Sequence, residues 1–343
     1  MNFRGLEGTN SLIGIRSGKI IPTFIYNTVN DQFFPTGGKS LFASLEFEGG
    51  PLGGNVNSIR PVIEAKYFRS VNKRRNVIGL RFLGSYVSGF GGRVAPPFSR
   101  FYTGGEDTVR GFDIRAISPI AFIPTLTRVT GTFVATDPTQ TDDQGNPLTR
   151  VVFAPNTPVL TQNIIFPGGD TQLVTNLEYR IPIVGPVSVS LFADAGVNMA
   201  LNTGQLRMNA DGLRRIQSTF GPNAAQSDLR ILSGTNSRLR TSVGIEFVIN
   251  LPIVNAPFRI YWAYNPTRLV RSFAPPAAQG MLDRNNLFVQ DQNGQLVPIT
   301  LSDDVFNSQI LPQFNNQLRS LTPNSLNLRE PLRTFRFTIS RTF

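Results

Sequence analysis

The chain has 343 residues, of which 16% are charged, below the usual quarter, while glycine (31), proline (25) and phenylalanine (27) are plentiful. It contains no cysteine and no histidine, which excludes a disulfide framework, cysteine-ligated metal or haem, and any Ser/His/Asp triad. The net charge of +11 comes from scattered basic residues, and the densest cluster, Lys73-Arg74-Arg75, has no interleaved aromatic platform, so lipid headgroups are the expected counter-charge and no nucleic-acid partner is expected.

At the N-terminus, Ser11-Leu12-Ile13-Gly14-Ile15 is cut short by Arg16 and Lys19 and no small-residue cleavage site follows, so no signal peptide is expected. No run of about 18 apolar residues occurs anywhere, which excludes a transmembrane helix. Instead, period-two alternation predicts strands over roughly 19–28, 39–48, 59–70, 76–87, 172–181, 187–197, 237–249, 257–265 and 333–343. About ten residues is what a tilted strand needs to cross a bilayer. Residues 39–48 put Leu41, Ala43, Leu45 and Phe47 on one face and Ser40, Ser44, Glu46 and Glu48 on the other. Residues 172–181 set Leu173, Thr175, Leu177, Tyr179 and Ile181 against Gln172, Asn176, Glu178 and Arg180. In the next strand Val187, Val189, Leu191, Ala193, Ala195 and Val197 oppose Ser188, Ser190, Phe192, Asp194 and Gly196. The apolar faces are expected to meet lipid.

The connections alternate in length. Short ones carry Pro, Gly or Asn (Asp31 to Gly38, Val71 to Arg75, Pro182 to Pro186, Leu251 to Pro257), and long ones span 88–171, 199–236 and 266–332. Outer-membrane barrels have short periplasmic turns and long extracellular loops on opposite ends, an asymmetry a soluble sandwich does not need. Polar stretches such as Asp137 to Pro147 and Asp303 to Asn316 are expected to be solvated and partly mobile.

The most specific segment is Thr103-Gly104-Gly105-Glu106-Asp107-Thr108-Val109-Arg110-Gly111-Phe112. Paired glycines allow a close turn, Gly111 permits a backbone angle other residues avoid, and Phe112 can anchor a tip while Arg110 seeks a carboxylate. Glu178 and Asp194 lie on the polar faces of the two strands that follow. They read either as its docking acids or as wetted residues of a polar lumen. The segment resembles the Val-Arg-Gly-Phe loop of the BamA family, the outer-membrane protein assembly factors of the bacterial surface antigen barrel superfamily. The resemblance continues through Phe166-Pro167-Gly168-Gly169-Asp170, Asn176-Leu177-Glu178-Tyr179-Arg180 and Leu191-Phe192-Ala193-Asp194-Ala195-Gly196. It implies that the loop of Gly104, Gly105, Val109, Arg110, Gly111 and Phe112 folds into the barrel lumen, where Arg110 meets Glu178 and Asp194, with Phe192 and Gly196 as the supporting strand motif.

The C-terminal strand carries Phe335, Phe337, Ile339 and a final Phe343. A chain ending on Phe inside its last strand resembles outer-membrane barrel substrates, although this segment lacks glycine and has Arg341 where an apolar residue is usual. Tyr261, Trp262 and Tyr264 read as an interfacial aromatic girdle or as strand packing. Neighbouring carboxylates such as Asp303-Asp304 sit in a polar stretch, and no Gly-rich loop precedes a helix with Lys-Ser/Thr, so no enzyme activity and no cofactor or metal are expected.

The fold class is therefore all-β, an antiparallel transmembrane β-barrel. The resemblance implies that residues 1–343 are the C-terminal nine strands of a sixteen-stranded barrel, a fragment of a longer protein without its signal peptide or POTRA domains. The implied function is assembly and insertion of β-barrel proteins into the outer membrane of a diderm bacterium, through a labile seam between first and last strands. The implied partners are outer-membrane lipid and lipopolysaccharide, unfolded outer-membrane β-barrel proteins and accessory assembly lipoproteins. A two-partner secretion or autotransporter-assembly translocator of the same superfamily, and a passive porin, are the alternatives.

Overall fold

Alternation of apolar and polar residues builds one antiparallel meander, interrupted by three long connections. The computed structural model describes residues 6–7, 15–31, 34–73, 75–141, 143–251 and 256–339. In chain order they form β1 (Lys19–Ile20), β2 (Thr23–Asn27), β3 (Gly38–Glu48), β4 (Ser58–Val71), β5 (Asn76–Tyr86), β6 (Ser88–Gly89), β7 (Ala121–Thr141), β8 (Pro147–Ile165), β9 (Thr171–Val184) and β10 (Val187–Met199). There follow α1 (Ala210–Phe220), β11 (Arg240–Leu251), β12 (Ala256–Tyr264), β13 (Val270–Phe273), β14 (Gln279–Gly280), β15 (Phe288–Gln290) and β16 (Leu296–Pro298). A short helix α2 (Asp303–Val305), a π-helical turn (Phe306–Ile310), α3 (Leu311–Leu321), β17 (Leu326–Arg329) and β18 (Arg333–Ile339) complete the chain.

The main wall runs β1-β3-β4-β5-β9-β10-β11-β12-β18, with β2 also on β3 and β6 on β4. β1 and β2 lie end to end along β3, facing Glu48–Phe47 and Ser44–Ser40 respectively, so they act as the one strand expected at 19–28. The break falls at Ile21-Pro22 because proline has no N–H to give a ladder, yet its carbonyl still accepts from Leu45 N at 3.1 Å. Each of the nine predicted strands is in this wall.

Strand parity assigns the two faces. Leu173, Leu177 and Leu191 are 39%, 42% and 49% exposed, whereas their neighbours Val174, Glu178, Phe192 and Asp194 are buried. A buried carboxylate beside exposed leucines is the inverse of a soluble protein and fits a wall whose outer face meets lipid. Short connections (28–37, 72–75 and 185–186) lie at one end and the long ones (87–170, 200–239 and 265–332) at the other. One short link, 49–57, also lies at the long-connection end and contains a 3-10 turn at Gly50–Leu52.

The long connections are folded, with secondary structure and apolar cores of their own, while the tip of the β7–β8 hairpin is exposed as expected. β7 and β8, of 21 and 19 residues, form a hairpin joined by β14 and β15 from the 265–332 connection. Phe133, Val152, Val159, Leu287, Ile310 and Phe314 close one apolar core between these two connections. Ile123, Leu160, Leu206, Met208 and Ile216 close a second, against α1. The polar stretch at Asp303 to Asn316 is helical. Ser302 caps α2 by accepting from Val305 N, and Val305, Ile310, Phe314 and Leu318 face the core. Asp137 to Pro147 is the hairpin tip. The hairpin was hard to read because Pro124, Pro138, Pro155 and Pro158 argue against strands; its register shifts between Val129 and Gly131 and between Asp137 and Thr141.

Nitroxide labels at positions 173, 177 and 191 in lipid should be broadened by dissolved oxygen far more than by a water-soluble nickel chelate. The opposite preference would put this face inside.

Candidate functional site

The loop between β6 and β7 turns back and lies on the inner face of the wall. It leaves the Phe101–Gly169 bridge with reciprocal backbone bonds of 2.9 Å, then turns at Gly104 and Gly105. Gly104 N donates to Thr108 Oγ1 at 2.8 Å and Thr108 N to Gly105 O at 3.2 Å. At the base, the Tyr102 hydroxyl donates to Phe166 O, and burial pushes its phenol up to about 12 against the opposing pull of Arg100 and Arg115.

Arg110, at the loop tip, is 1% exposed. Its Nε and Nη2 donate to Asp194 Oδ2 and Oδ1, both at 2.8 Å, and its own backbone N donates to Oδ2 at 3.0 Å. Nη1 donates to Glu178 Oε1 at 2.7 Å and to Glu246 Oε2 at 3.3 Å. Its Cζ lies 3.9 Å from the centroid of the Phe192 ring, which meets Tyr261 edge to face at 6.1 Å. One planar guanidinium thus bridges β9, β10 and β11 and stacks on β10, a task for which the fork geometry of arginine is suited and lysine is not.

Two more arginines complete the cluster. Arg180 Nε donates to Glu178 Oε2 at 2.7 Å, and Arg259 Nη2 lies 2.7 Å from Glu246 Oε1. Three arginines therefore face three carboxylates, Glu178, Asp194 and Glu246, and the buried charge sums to zero.

Backbone contacts hold the rest of the loop. Arg81 of β5 donates to Asp107 O at 2.5 Å, and Asn176 of β9 to Thr108 O at 2.7 Å. Asn265 Nδ2, just past β12, and Thr334 Oγ1, on β18, both donate to Gly111 O, at 2.8 and 2.6 Å. Arg336 of β18 donates to Phe112 O at 3.3 Å and pairs with Asp113. Val109 and Phe112 are fully buried and cluster with Ile117.

Two glycines make the fit possible. Gly111 has φ +86°, and a Cβ there would lie 2.4 Å from Asn265 Oδ1; a Cβ on Gly196 of β10 would lie 2.5 Å from Val109 Cγ2. The sequence-predicted residues of the loop and of β9 and β10 thus meet at one place. Phe335, Phe337 and Ile339 of β18 do not join them and are 69%, 72% and 61% exposed on the outer face, while Phe343 lies outside the described residues.

Sequence reasoning missed Glu246, Arg259 and the role of Arg180. Parity carried the signal, since Glu246 is the acid on the inner face of β11 and Arg259 the basic residue on the inner face of β12. Tyr261 departs from the girdle reading. It is buried against Phe192, whereas Trp262, 45% exposed, faces outward beside Phe335. Adjacent residues of a strand cannot share a face.

An antiparallel wall with an apolar outer face, an ionised inner face and an inward-folded loop defines an integral outer-membrane β-barrel protein. Residues 18–269 match the Omp85 superfamily domain, and the chain belongs to that superfamily. A stretch of 96 residues is 36% identical to the outer membrane protein assembly factor BamA of Nitratidesulfovibrio vulgaris (strain Hildenborough), covering 28% of this chain and 12% of that protein. The crystal structure of BamA from Haemophilus ducreyi lacking POTRA domains 1-3 aligns with 73% of this chain and 39% of its own, at 20% identity and a TM-score of 0.48. The chain therefore spans well under half the length of either relative.

Arg110→Ala leaves three buried carboxylates short of a counter-charge and should destabilise the folded protein by about 3–5 kcal/mol. Arg214→Ala, which removes an exposed pair with Asp211 on α1, should change little. Urea midpoints of the two variants in detergent test the contrast, and equal midpoints would contradict the cluster's importance.

Proposed function

We propose that this chain is the C-terminal barrel portion of a BamA-like outer-membrane protein assembly factor, which inserts unfolded β-barrel proteins into the outer membrane without covalent or nucleotide chemistry. The observation that carries the reading is the loop held by Arg110 on Glu178, Asp194 and Glu246, inside the segment that matches the Omp85 superfamily. The same loop reaches β18 through Thr334 and Arg336.

The edges of the wall support the rest of the reading. Among the described residues, β2 pairs only with β3, and β18 only with β12. Unpaired N–H and C=O groups are untenable in hydrocarbon, which supports closure of the wall by additional strands, sixteen in all by the resemblance to the BamA family. β18 then forms one side of a labile seam with the first strand. Its outward Phe335, Phe337 and Ile339 face lipid, lipopolysaccharide occupies the outer leaflet around the rim, and accessory lipoproteins join from the periplasm.

The test uses the full-length protein in liposomes with a urea-denatured outer-membrane β-barrel protein as client. Client folding should accelerate several-fold over protein-free liposomes, and Arg110→Ala should remove most of that gain. No acceleration, together with large steady conductance in a planar bilayer, would replace this reading with a passive porin. Secretion of a soluble client without barrel insertion would favour a translocator of the same superfamily.

A further inference from the structure

Over Thr132 to Thr136 the outer edge of β7 has no strand beside it among the described residues, and three glutamines of the helical run 306–321 occupy that place. Gln309 Oε1 accepts from Thr136 N at 2.8 Å while its Nε2 donates to Thr136 O at 2.9 Å. Gln313 repeats the exchange with Val134, Oε1 accepting from N at 2.9 Å and Nε2 donating to O at 2.7 Å. Gln317 Nε2 donates to Thr132 O at 2.7 Å.

The match is geometric. Four residues of helix advance about 6 Å and two residues of strand about 6.8 Å, so side chains at i, i+4 and i+8 meet alternate residues of an extended edge. A glutamine amide has the donor and acceptor of a peptide group, so Gln309 and Gln313 each reproduce the two bonds of a hydrogen-bonded strand pair and Gln317 supplies one of them. On the adjoining face of the helix, Phe314 and Leu318 enter the core, where Phe314 meets Phe133 edge to face at 6.2 Å. The helix is thus held by apolar packing and, separately, by the amide row.

Without that row, Thr132 to Thr136 would present a long uncharged edge, Thr-Phe-Val-Ala-Thr, to other extended chains. Exposed edges of this kind invite strand addition, and single charges usually suffice to prevent it. Here the outward N–H and C=O of Val134 and Thr136 and the carbonyl of Thr132 are instead paired. The pairing also joins two connections with different attachments: the hairpin continues from the loop that carries Arg110, and α3 leads through β17 into β18, which contacts that loop.

We propose that α3 and its preceding turn are a surrogate strand, whose glutamine amides close the pairing edge of β7 and latch the Arg110-bearing connection to the one that delivers β18. The inference stands on the hydrogen-bond geometry and does not depend on the assembly-factor reading.

Hydrogen exchange on the full-length protein in lipid tests it, comparing the wild type with a triple variant, Gln309→Leu, Gln313→Leu and Gln317→Leu. Leucine keeps helix propensity, and Phe314 and Leu318 remain in place. Exchange at the amides of Val134 and Thr136 should rise about fivefold or more, the factor that roughly 1 kcal/mol net per lost bond gives, while the amides of Phe133 and Ala135, which face β8, stay protected. Trypsin cleavage after Arg319 should rise in parallel, and Asn315→Leu, on the exposed side of α3, should change neither. Unchanged exchange at Val134 and Thr136 would overturn the proposal. Loss of protection throughout β7 and β8 would also overturn it, since the glutamines would then be inseparable from the hairpin's own stability. Faster exchange with Arg319 still resistant would overturn the latch.

Discussion

Burying three carboxylates on adjacent strands is the constraint on which the arrangement of this protein turns. Glu178, Asp194 and Glu246 project from β9, β10 and β11 onto one inner patch, where like charges would repel strongly in the absence of a cation. Arg180 and Arg259 neutralise two of them from the wall itself, whereas Asp194 is matched by Arg110, which comes from a loop. The wall therefore requires the loop to be docked. A buried ion pair is weak evidence for net stability, because desolvation offsets the attraction. Its value here is positional, since the planar fork satisfies Asp194 at both oxygens while stacking on Phe192, and only one placement does both.

That placement propagates outward. With Arg110 fixed, the carbonyls of Asp107, Thr108, Gly111 and Phe112 fall where Arg81, Asn176, Asn265, Thr334 and Arg336 can donate to them. One loop thereby contacts strands from β5 to β18. β18 is linked to the loop by direct hydrogen bonds.

Beyond the wall, the long connections use the same economy of local rules with distant partners. The β7–β8 hairpin is too long to stand as an isolated two-stranded ribbon, and it gains a second layer from the 265–332 connection on one side and α1 on the other. Its free edge is met by side-chain amides rather than by a strand. Polar composition there conceals specific bonding, since the glutamines of one connection pair with the backbone of the other.

Much of this was legible in the chain because a strand has a period of two wherever it lies. Alternation around Leu177 and Leu191 separates lipid-facing from inner residues without knowledge of any partner, and it puts Glu178, Asp194 and Arg180 on the inner side. The pairing of Arg110-Gly111 with upstream glycines marked a loop built for close approach. Register is different in kind. Which residue of β5 faces which residue of β9 depends on a closure across the whole 87–170 connection, and only the folded wall set Asn176 beside Arg81 and brought Glu246 and Arg259 to the same patch. The hairpin was hidden by its prolines, and the Gln309, Gln313 and Gln317 spacing, though plain in the sequence, has no meaning until an edge strand lies beside it. Local periodicity determined the faces; the partners across them were decided by tertiary structure, because hydrogen-bonding and charge complementarity act between residues that are neighbours only after folding.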